Sequence, residues 1–260
     1  MRGFLNECNT CYFNTSIQCL FNVHVITNHF FKNPYEGKCM FTIFYQVLLK
    51  KYWSNEKSPL DLTPLLYAFQ NEFPRFKNDD QHDVQEAILC IIDILEKSKP
   101  EIKTWLYGKK TQETIWPGGK SENEEDFSVH VVRSKGKDMG KILEDSTRWN
   151  VLENFEDTDG KVYNVATTRM IFSKLPQVLM ISFDTKSHIK IIEKLILDTH
   201  EYELFACAIH AGIQNDGHYV SFIKRKTKWF FINDAHVREH ELPEEGGFYF
   251  MMYNLKNPPS

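Results

Sequence analysis

The sequence of 260 residues contains no apolar run near the length needed to span a bilayer, which excludes a chain that crosses it by helices. Its opening, MRGFLNECNT, has one arginine but no apolar core and no small-residue cleavage site, so it does not read as a secretory signal. Cysteine is scarce: Cys8, Cys11, Cys19, Cys39, Cys90 and Cys207 are far too few for a disulfide scaffold. Glycine and proline, at 12 and 10, are too few for a collagen-like or linker-rich chain. Nor is there an excess of positive charge, since 31 Lys and Arg face 35 Asp and Glu for a net charge of −4. A general nucleic-acid binder would carry the opposite balance, whereas a cationic partner is compatible with this one. What is abundant is aromatic: 14% of the residues, including 20 Phe, enough for a large core in one or two compact units. Cys19, Cys90 and Cys207 sit in apolar segments and read as plain buried thiols, which favours a reducing, intracellular compartment.

Two textures divide the chain. Through the first hundred residues apolar positions recur with helical spacing. Phe13, Ile17, Leu20 and Phe21 mark one face of a helix beginning near Cys11, capped by Asn9 or Thr10. A second helix is predicted over Met40 to Tyr52. A third is expected where Thr63 caps and Pro64 takes the first turn, and a fourth over Asn78 to Glu96 with Val84, Ile88, Ile91, Ile92 and Leu95 inward. Asp79, Asp80 and Asp83 would then lie at the positive end of that helix dipole. Residues 108 to 126 are polar and turn-rich and read as an exposed excursion. From Phe127 onward, short β-branched and aromatic runs alternate with turns and read as antiparallel strands. Helices first and strands afterwards imply an α+β fold, not a doubly wound parallel sheet.

Cys11 is the first candidate for chemistry. A thiol in the first turn of a helix meets unpaired N–H groups and the helix dipole, both of which favour the nucleophilic thiolate. A buried structural cysteine is the plain alternative, and position alone does not separate the two. The CxxC formed with Cys8 lacks the preceding core strand of a redox motif, and no second CxxC exists to complete a structural zinc site. A thiol nucleophile needs a base. His218 opens a predicted strand just after Asn215-Asp216-Gly217, and Asn233-Asp234 closes the next one. A hairpin turning at Lys224–Lys228 would bring those ends together, so that an Asn or Asp could orient the imidazole in a Cys-His-Asn arrangement. A hairpin with a polar rim has the same pattern.

At this point the sequence resembles the ubiquitin-specific proteases, papain-like cysteine deubiquitinases. Gly3-Phe4-Leu5-Asn6-Glu7-Cys8-Asn9-Thr10-Cys11-Tyr12-Phe13-Asn14 is similar to their cysteine box, and Leu204 to Val237 to their histidine box. Between these, Gln81-His82-Asp83-Val84-Gln85-Glu86 resembles the family's Q-x-D-x-x-E helix, and Leu175 to Leu179 a strand that precedes the histidine box. Gly247 to Tyr253 is similar to the closing strand.

The resemblance implies a papain-like architecture of helical thumb with β-rich palm and fingers. Residues 1–107 would form the thumb with the nucleophile, and 108–260 the fingers and palm with His218 and Asn233, together one catalytic unit. It implies Cys11 as nucleophile, His218 as general base, Asn233 as the orienting third member and Asp234 as an electrostatic helper. Asn6 would donate to the oxyanion. The implied reaction is thioester acyl transfer at the terminal glycine of ubiquitin, on ubiquitinated proteins, by a monomer without cofactor, nucleic acid or membrane. Asp83 and Gln81, His210 and Gly212, Gly217 and Tyr219 would line the groove for the ubiquitin tail. A catalytically silent ubiquitin-binding module, or a protease for another modifier ending in Gly-Gly, is the competing reading. With the cysteine box beginning near Met1, no accessory domain is expected before it.

The departures from the family pattern carry expectations of their own. Cys8 stands where the family has glycine, which would strain or reshape the oxyanion loop, permit a reversible disulfide with Cys11, or simply be tolerated as a small residue. The segment Ile115 to Ser121 resembles a zinc knuckle without its cysteines, and Phe155–Gly160 supplies none for a second, so no zinc is expected. The family's basic ending of the palm strand is replaced around Phe183-Asp184-Thr185.

Overall fold

The computed structural model describes residues 1–6, 9–78, 80–133, 136–184, 188–213 and 216–257. Cys8, Asp79, Thr185 and Asn215, on which some of the expectations fall, lie outside the described residues. Helices come first: α1 (Cys11–Leu20), α2 (His24–Lys32), α3 (Met40–Tyr52), α4 (Thr63–Glu72), α5 (Val84–Ser98) and α6 (Ile102–Leu106). Strands follow as β1 (Gly108–Trp116), β2 (Gly119–Phe127) and β3 (Val129–Val132), then a further helix, α7 (Met139–Thr147). Next are β4 (Asn150–Glu156), β5 (Val162–Lys174), β6 (Val178–Phe183), β7 (Ile189–Lys190) and β8 (Lys194–Leu197). The chain ends with β9 (His200–Ile213), β10 (Asp216–Arg225), β11 (Lys228–Asn233), β12 (His236–Glu239), β13 (Glu245–Gly246) and β14 (Phe248–Leu255). This is an α+β fold.

The larger sheet runs β12-β11-β10-β9-β14-β6-β3, antiparallel throughout except for the parallel β3–β6 pair. Alternation along its strands divides the core in two. Val178 and Met180 of β6, Ala206 and Ala208 of β9, and Phe250 and Met252 of β14 face the helical layer. Leu179, Ile181 and Phe183, Leu204 and Cys207, and Met251 and Tyr253 face the opposite way, toward α7, Ile189 and Leu195. A strand covered on both faces must be apolar throughout, and every residue of β6 is buried. Helix α1 is enclosed as well. Two of its polar residues are anchored by hydrogen bonds, Ser16 Oγ donating to Tyr12 O at 2.7 Å and Gln18 Nε2 to Tyr52 Oη at 2.6 Å, while Gln18 Oε1 has no partner among the described residues. Phe21 at its end meets Tyr45 edge-on with ring centroids 5.0 Å apart.

Several boundaries differ from the sequence expectation. Helix α5 begins at Val84, not Asn78, because Asp83 is its N-cap: Oδ1 accepts from Gln85 N at 2.7 Å and Glu86 N at 3.1 Å. Asp80 therefore precedes the helix. Thr63 is the first residue of α4, and it is Asp61 Oδ1 that accepts from Thr63 N, at 2.8 Å. The polar stretch 108–126 is the β1–β2 hairpin of a second sheet, ordered β2-β1-β5-β4. At its end, where the resemblance would put a zinc knuckle, residues 115–121 and 155–160 offer no thiol or imidazole. Trp116 instead packs its ring 5.1 Å from Phe155 and 6.3 Å from Tyr163. The donor set does not fit zinc there. Among the described residues no cluster of His, Cys, Asp and Glu could hold a metal, and no helix is long and apolar enough to cross a membrane.

Candidate active site

Residues from both ends of the chain meet where the start of α1 lies against β10 and the β11–β12 turn. The first residues are drawn in as an extended segment: Phe4 N donates to Asp234 O and Leu5 N to Leu60 O, each at 2.9 Å. Gly3 is required by that approach. A Cβ there would lie 2.4 Å from Asp234 O and 2.5 Å from the Ala235 carbonyl carbon, both of them backbone. Arg2, itself buried, ties the segment down by donating to Ser58 O at 2.6 Å and Lys51 O at 3.0 Å.

Cys11 occupies the first position of α1 and is only 5% exposed. Burial pushes its thiol above the ordinary range, opposed by a backbone hydrogen bond from Tyr219; the charge of Asp234 raises it further, and N–H groups of Tyr12 and Cys11 oppose it. The helix terminus does favour thiolate, as expected from sequence, but the loss of water outweighs it. The bond from Tyr219 also places the sulfur beside the residue that follows His218.

On β10, His218 Nε2 lies 2.7 Å from Asn233 Oδ1. A carboxamide oxygen can only accept, so Nε2 carries a proton, and in the neutral ring Nδ1 is the nitrogen left with the lone pair. Asp234 is next in the chain, held at φ 48° in the turn between Asn233 and His236. Its carboxylate serves three residues. Oδ2 accepts from Asn6 Nδ2 at 2.8 Å and lies 3.7 Å from His218 Nε2, while Oδ1 accepts from Asn14 Nδ2 at 2.8 Å. Asn14 was not singled out from the sequence. It sits three residues beyond Cys11 on the same helix face, and its amide also donates to Leu5 O at 3.1 Å.

The six predicted groove residues gather between the start of α5 and the strands β9, β10 and β14. Gln81 Oε1 accepts from Gly217 N at 2.9 Å. A side chain at Gly217 would strike the His210 ring, with 2.0 Å between its Cβ and Nε2. Gly212, at φ 109°, pairs with Gly217 across β9 and β10. The His210 ring meets Tyr219 edge-on at 4.8 Å, and Tyr219 lies 6.0 Å from Tyr249. Tyr249, which the sequence reading missed, donates its hydroxyl to Asp83 Oδ2. Asp83 is thus not the solvated acid that its place on a polar helix face suggests, since one oxygen caps α5 and the other takes the tyrosine.

Comparison with known proteins identifies the family and the fold. The sequence model described as ubiquitin carboxyl-terminal hydrolase matches residues 2–253. The chain is 24% identical over 308 aligned positions to ubiquitin carboxyl-terminal hydrolase 16 of Arabidopsis thaliana, covering 98% of this chain and 30% of that protein. It is 26% identical over 285 positions to ubiquitin carboxyl-terminal hydrolase 15 of Schizosaccharomyces pombe, covering 93% of this chain and 25% of the relative. The chain therefore spans less than a third of the length of these two relatives. Among solved structures, a chain of the SAGA DUB module containing Ubp8, bound to monoubiquitin, superposes with a TM-score of 0.87. That match has 18% identity and covers 99% of this chain and 69% of the other, a likeness of fold.

Proposed function

The chain belongs to the ubiquitin carboxyl-terminal hydrolase family, and on that premise we propose that it is a deubiquitinating cysteine protease acting at the C-terminal glycine of ubiquitin. Cys11 is the nucleophile and His218 the general base. The thiol proton passes to Nδ1 of His218 as the sulfur attacks the glycine carbonyl. Negative charge then grows on the carbonyl oxygen, where the Asn6 amide and the backbone N–H of Cys11 receive it. His218 returns its proton to the departing lysine amine, leaving a thioester. Water, deprotonated by the same imidazole, clears the thioester, and the proton goes back to the sulfur. Asn233 holds the ring in the required tautomer, and Asp234 favours the imidazolium that forms in each half of the cycle.

One observation carries this reading more than any other: the backbone of Tyr219 reaches the Cys11 sulfur while its neighbour His218 is held through Nε2 by Asn233. A thiol whose pKa burial raises, near an imidazole that can take its proton, suits general-base catalysis. The groove around Gly217, Gly212 and Tyr219 suits an extended tail ending in two glycines, because it is lined by strand backbone and aromatic rings. We place the thumb at residues 1–107 and the fingers and palm at 108–260, and take the unit to act as a monomer. An intracellular setting suits the free thiols of Cys11, Cys19, Cys39, Cys90 and Cys207. Hydrolysis of a ubiquitin bearing a fluorogenic C-terminal amide tests the proposal: turnover lost on Cys11→Ala supports it, and a wild-type chain without turnover refutes it.

A further inference from the structure

Thr10 stands at the N-cap of α1, the position where a threonine hydroxyl ordinarily accepts from a first-turn N–H. It makes no such bond. Its hydroxyl donates instead to Asn6 Oδ1 at 2.9 Å, and its backbone N–H points at the same oxygen at 3.3 Å. The other end of that amide is held too, since Asn6 Nδ2 donates to Asp234 Oδ2 at 2.8 Å. An N–H can only donate and a carboxylate can only accept, so the two neighbours together dictate which end of the Asn6 amide is which. Asn6 is exposed. An exposed asparagine with no such partners would sample several rotamers and both amide orientations.

We propose that Thr10 is a positioning residue for the oxyanion: its hydroxyl holds in place the Asn6 amide, whose orientation the Thr10 N–H and Asp234 set, so that the nitrogen stays presented beside Cys11. Resting on the protease reading, this adds a residue through which the Asn6 donor is held ready. Nδ2 carries two hydrogens. One is taken by Asp234, and the second, which meets no acceptor among the described residues, can serve a developing negative charge. Without the Thr10 hydroxyl, the oxygen end loses its stronger donor, and the amide spends time turned or rotated away. The withheld cap has a second consequence, because first-turn N–H groups stay directed at the Cys11 sulfur. Donors that are already aligned need no rearrangement as charge develops, which is where oxyanion contacts gain their effect.

The test uses the whole chain, a fluorogenic ubiquitin amide, and the variants Thr10→Val, Thr10→Ser, Asn6→Ala and Asn6→Ala with Thr10→Val. Thr10→Val is expected to lower kcat roughly tenfold with KM unchanged, a smaller loss than the roughly 10²–10³ of removing an oxyanion donor outright. Thr10→Ser should restore most of the rate. Added to Asn6→Ala, Thr10→Val should cost less than about twofold, because two groups that act through one interaction are not additive. Alkylation of Cys11 by iodoacetamide, followed on its own peptide, forms no oxyanion and should keep its rate in Thr10→Val. If Thr10→Val does not fold, Thr10→Ala replaces it with the same expectations. A full tenfold loss on top of Asn6→Ala, equal slowing of alkylation, or an unchanged kcat in Thr10→Val overturns the proposal. Failure of the wild-type chain to cleave the amide would overturn the protease reading itself, whereas wild-type turnover with an indifferent Thr10→Val overturns this inference alone.

Discussion

Asn233 Oδ1 lies 2.7 Å from His218 Nε2, a bond that puts a proton on Nε2 and turns Nδ1 away from Asn233. The two residues stand fifteen apart in sequence, joined by the β10–β11 hairpin, in which Arg225 pairs with Lys228. Loss of His218 removes the base and loss of Asn233 only its orientation. His218→Ala is therefore expected to reduce kcat nearly as far as Cys11→Ala, and Asn233→Ala by less. Ubiquitin binding, measured by calorimetry, should survive Cys11→Ala if, as the proposal has it, binding comes from a much wider surface than one thiol. A folded Cys11→Ala chain that loses binding along with turnover would contradict this separation.

Asp234 receives two amides, from Asn6 and Asn14, and lies 3.7 Å from His218 Nε2. Removing it frees Asn6, releases Asn14 and takes a negative charge from the imidazolium. Asp234→Ala should consequently reduce kcat by about 10², on the order of an oxyanion-donor loss and more than Asn233→Ala. Side-by-side kcat values for the two variants decide the order.

The raised pKa of Cys11 has a sign that can be read from chemistry. Above its ordinary value, a thiol stays protonated until the pH exceeds the usual thiol range, so the reactive anion is sparse at pH 6 to 7 and increases toward alkaline pH. Iodoacetamide should alkylate Cys11 slowly at pH 6 and faster with each unit through pH 9. A fast plateau already present at pH 6 would mean a resting thiolate–imidazolium pair instead.

Gly3 faces backbone atoms of Asp234 and Ala235 that cannot yield as a flexible side chain would. Gly3→Ala should cost about 1–3 kcal/mol of stability, as overpacking does elsewhere. It should also lower kcat in the molecules that remain folded, since the displaced segment carries Asn6. Thermal unfolding together with kcat of the folded fraction checks both parts.

His130 is buried against Phe172, and burial lowers its pKa from 6.5 to about 4. The unfolded chain takes up this proton near pH 6.5 and the folded chain only near 4, so stability is lost as pH falls through that window. At one pKa unit to about 1.4 kcal/mol, the loss is on the order of 3 kcal/mol. Denaturant unfolding at pH 6.5 and pH 4 should show His130→Leu spared most of it. An equal loss in the variant would place the effect elsewhere.

The proposed catalytic arrangement can be anticipated in sequence where local geometry fixes it. Cys11 heads a helix whose apolar spacing is plain, and a short hairpin is the simplest route from His218 to Asn233. What resists reading depends on distant partners. Asn14 is indistinguishable from any polar helix residue until Asp234, 220 positions away, accepts its amide. Tyr249 and Asp83 are likewise separated by 166 positions. The β1–β2 hairpin was hidden for another reason. In β2 every residue but Ser121 and Phe127 is exposed, so no buried face imposes the alternation by which strands are recognised. Helix α7 buries only Met139, Ile142 and Leu143 in a short window and gives too weak a period.

The most direct test is incubation of the whole chain with ubiquitin carrying a C-terminal electrophile, followed by mass analysis of its peptides. The account predicts a single covalent adduct on Cys11, formed more slowly in His218→Ala and absent in Cys11→Ala. Ubiquitin that binds without forming an adduct, or an adduct on any other residue, would contradict it.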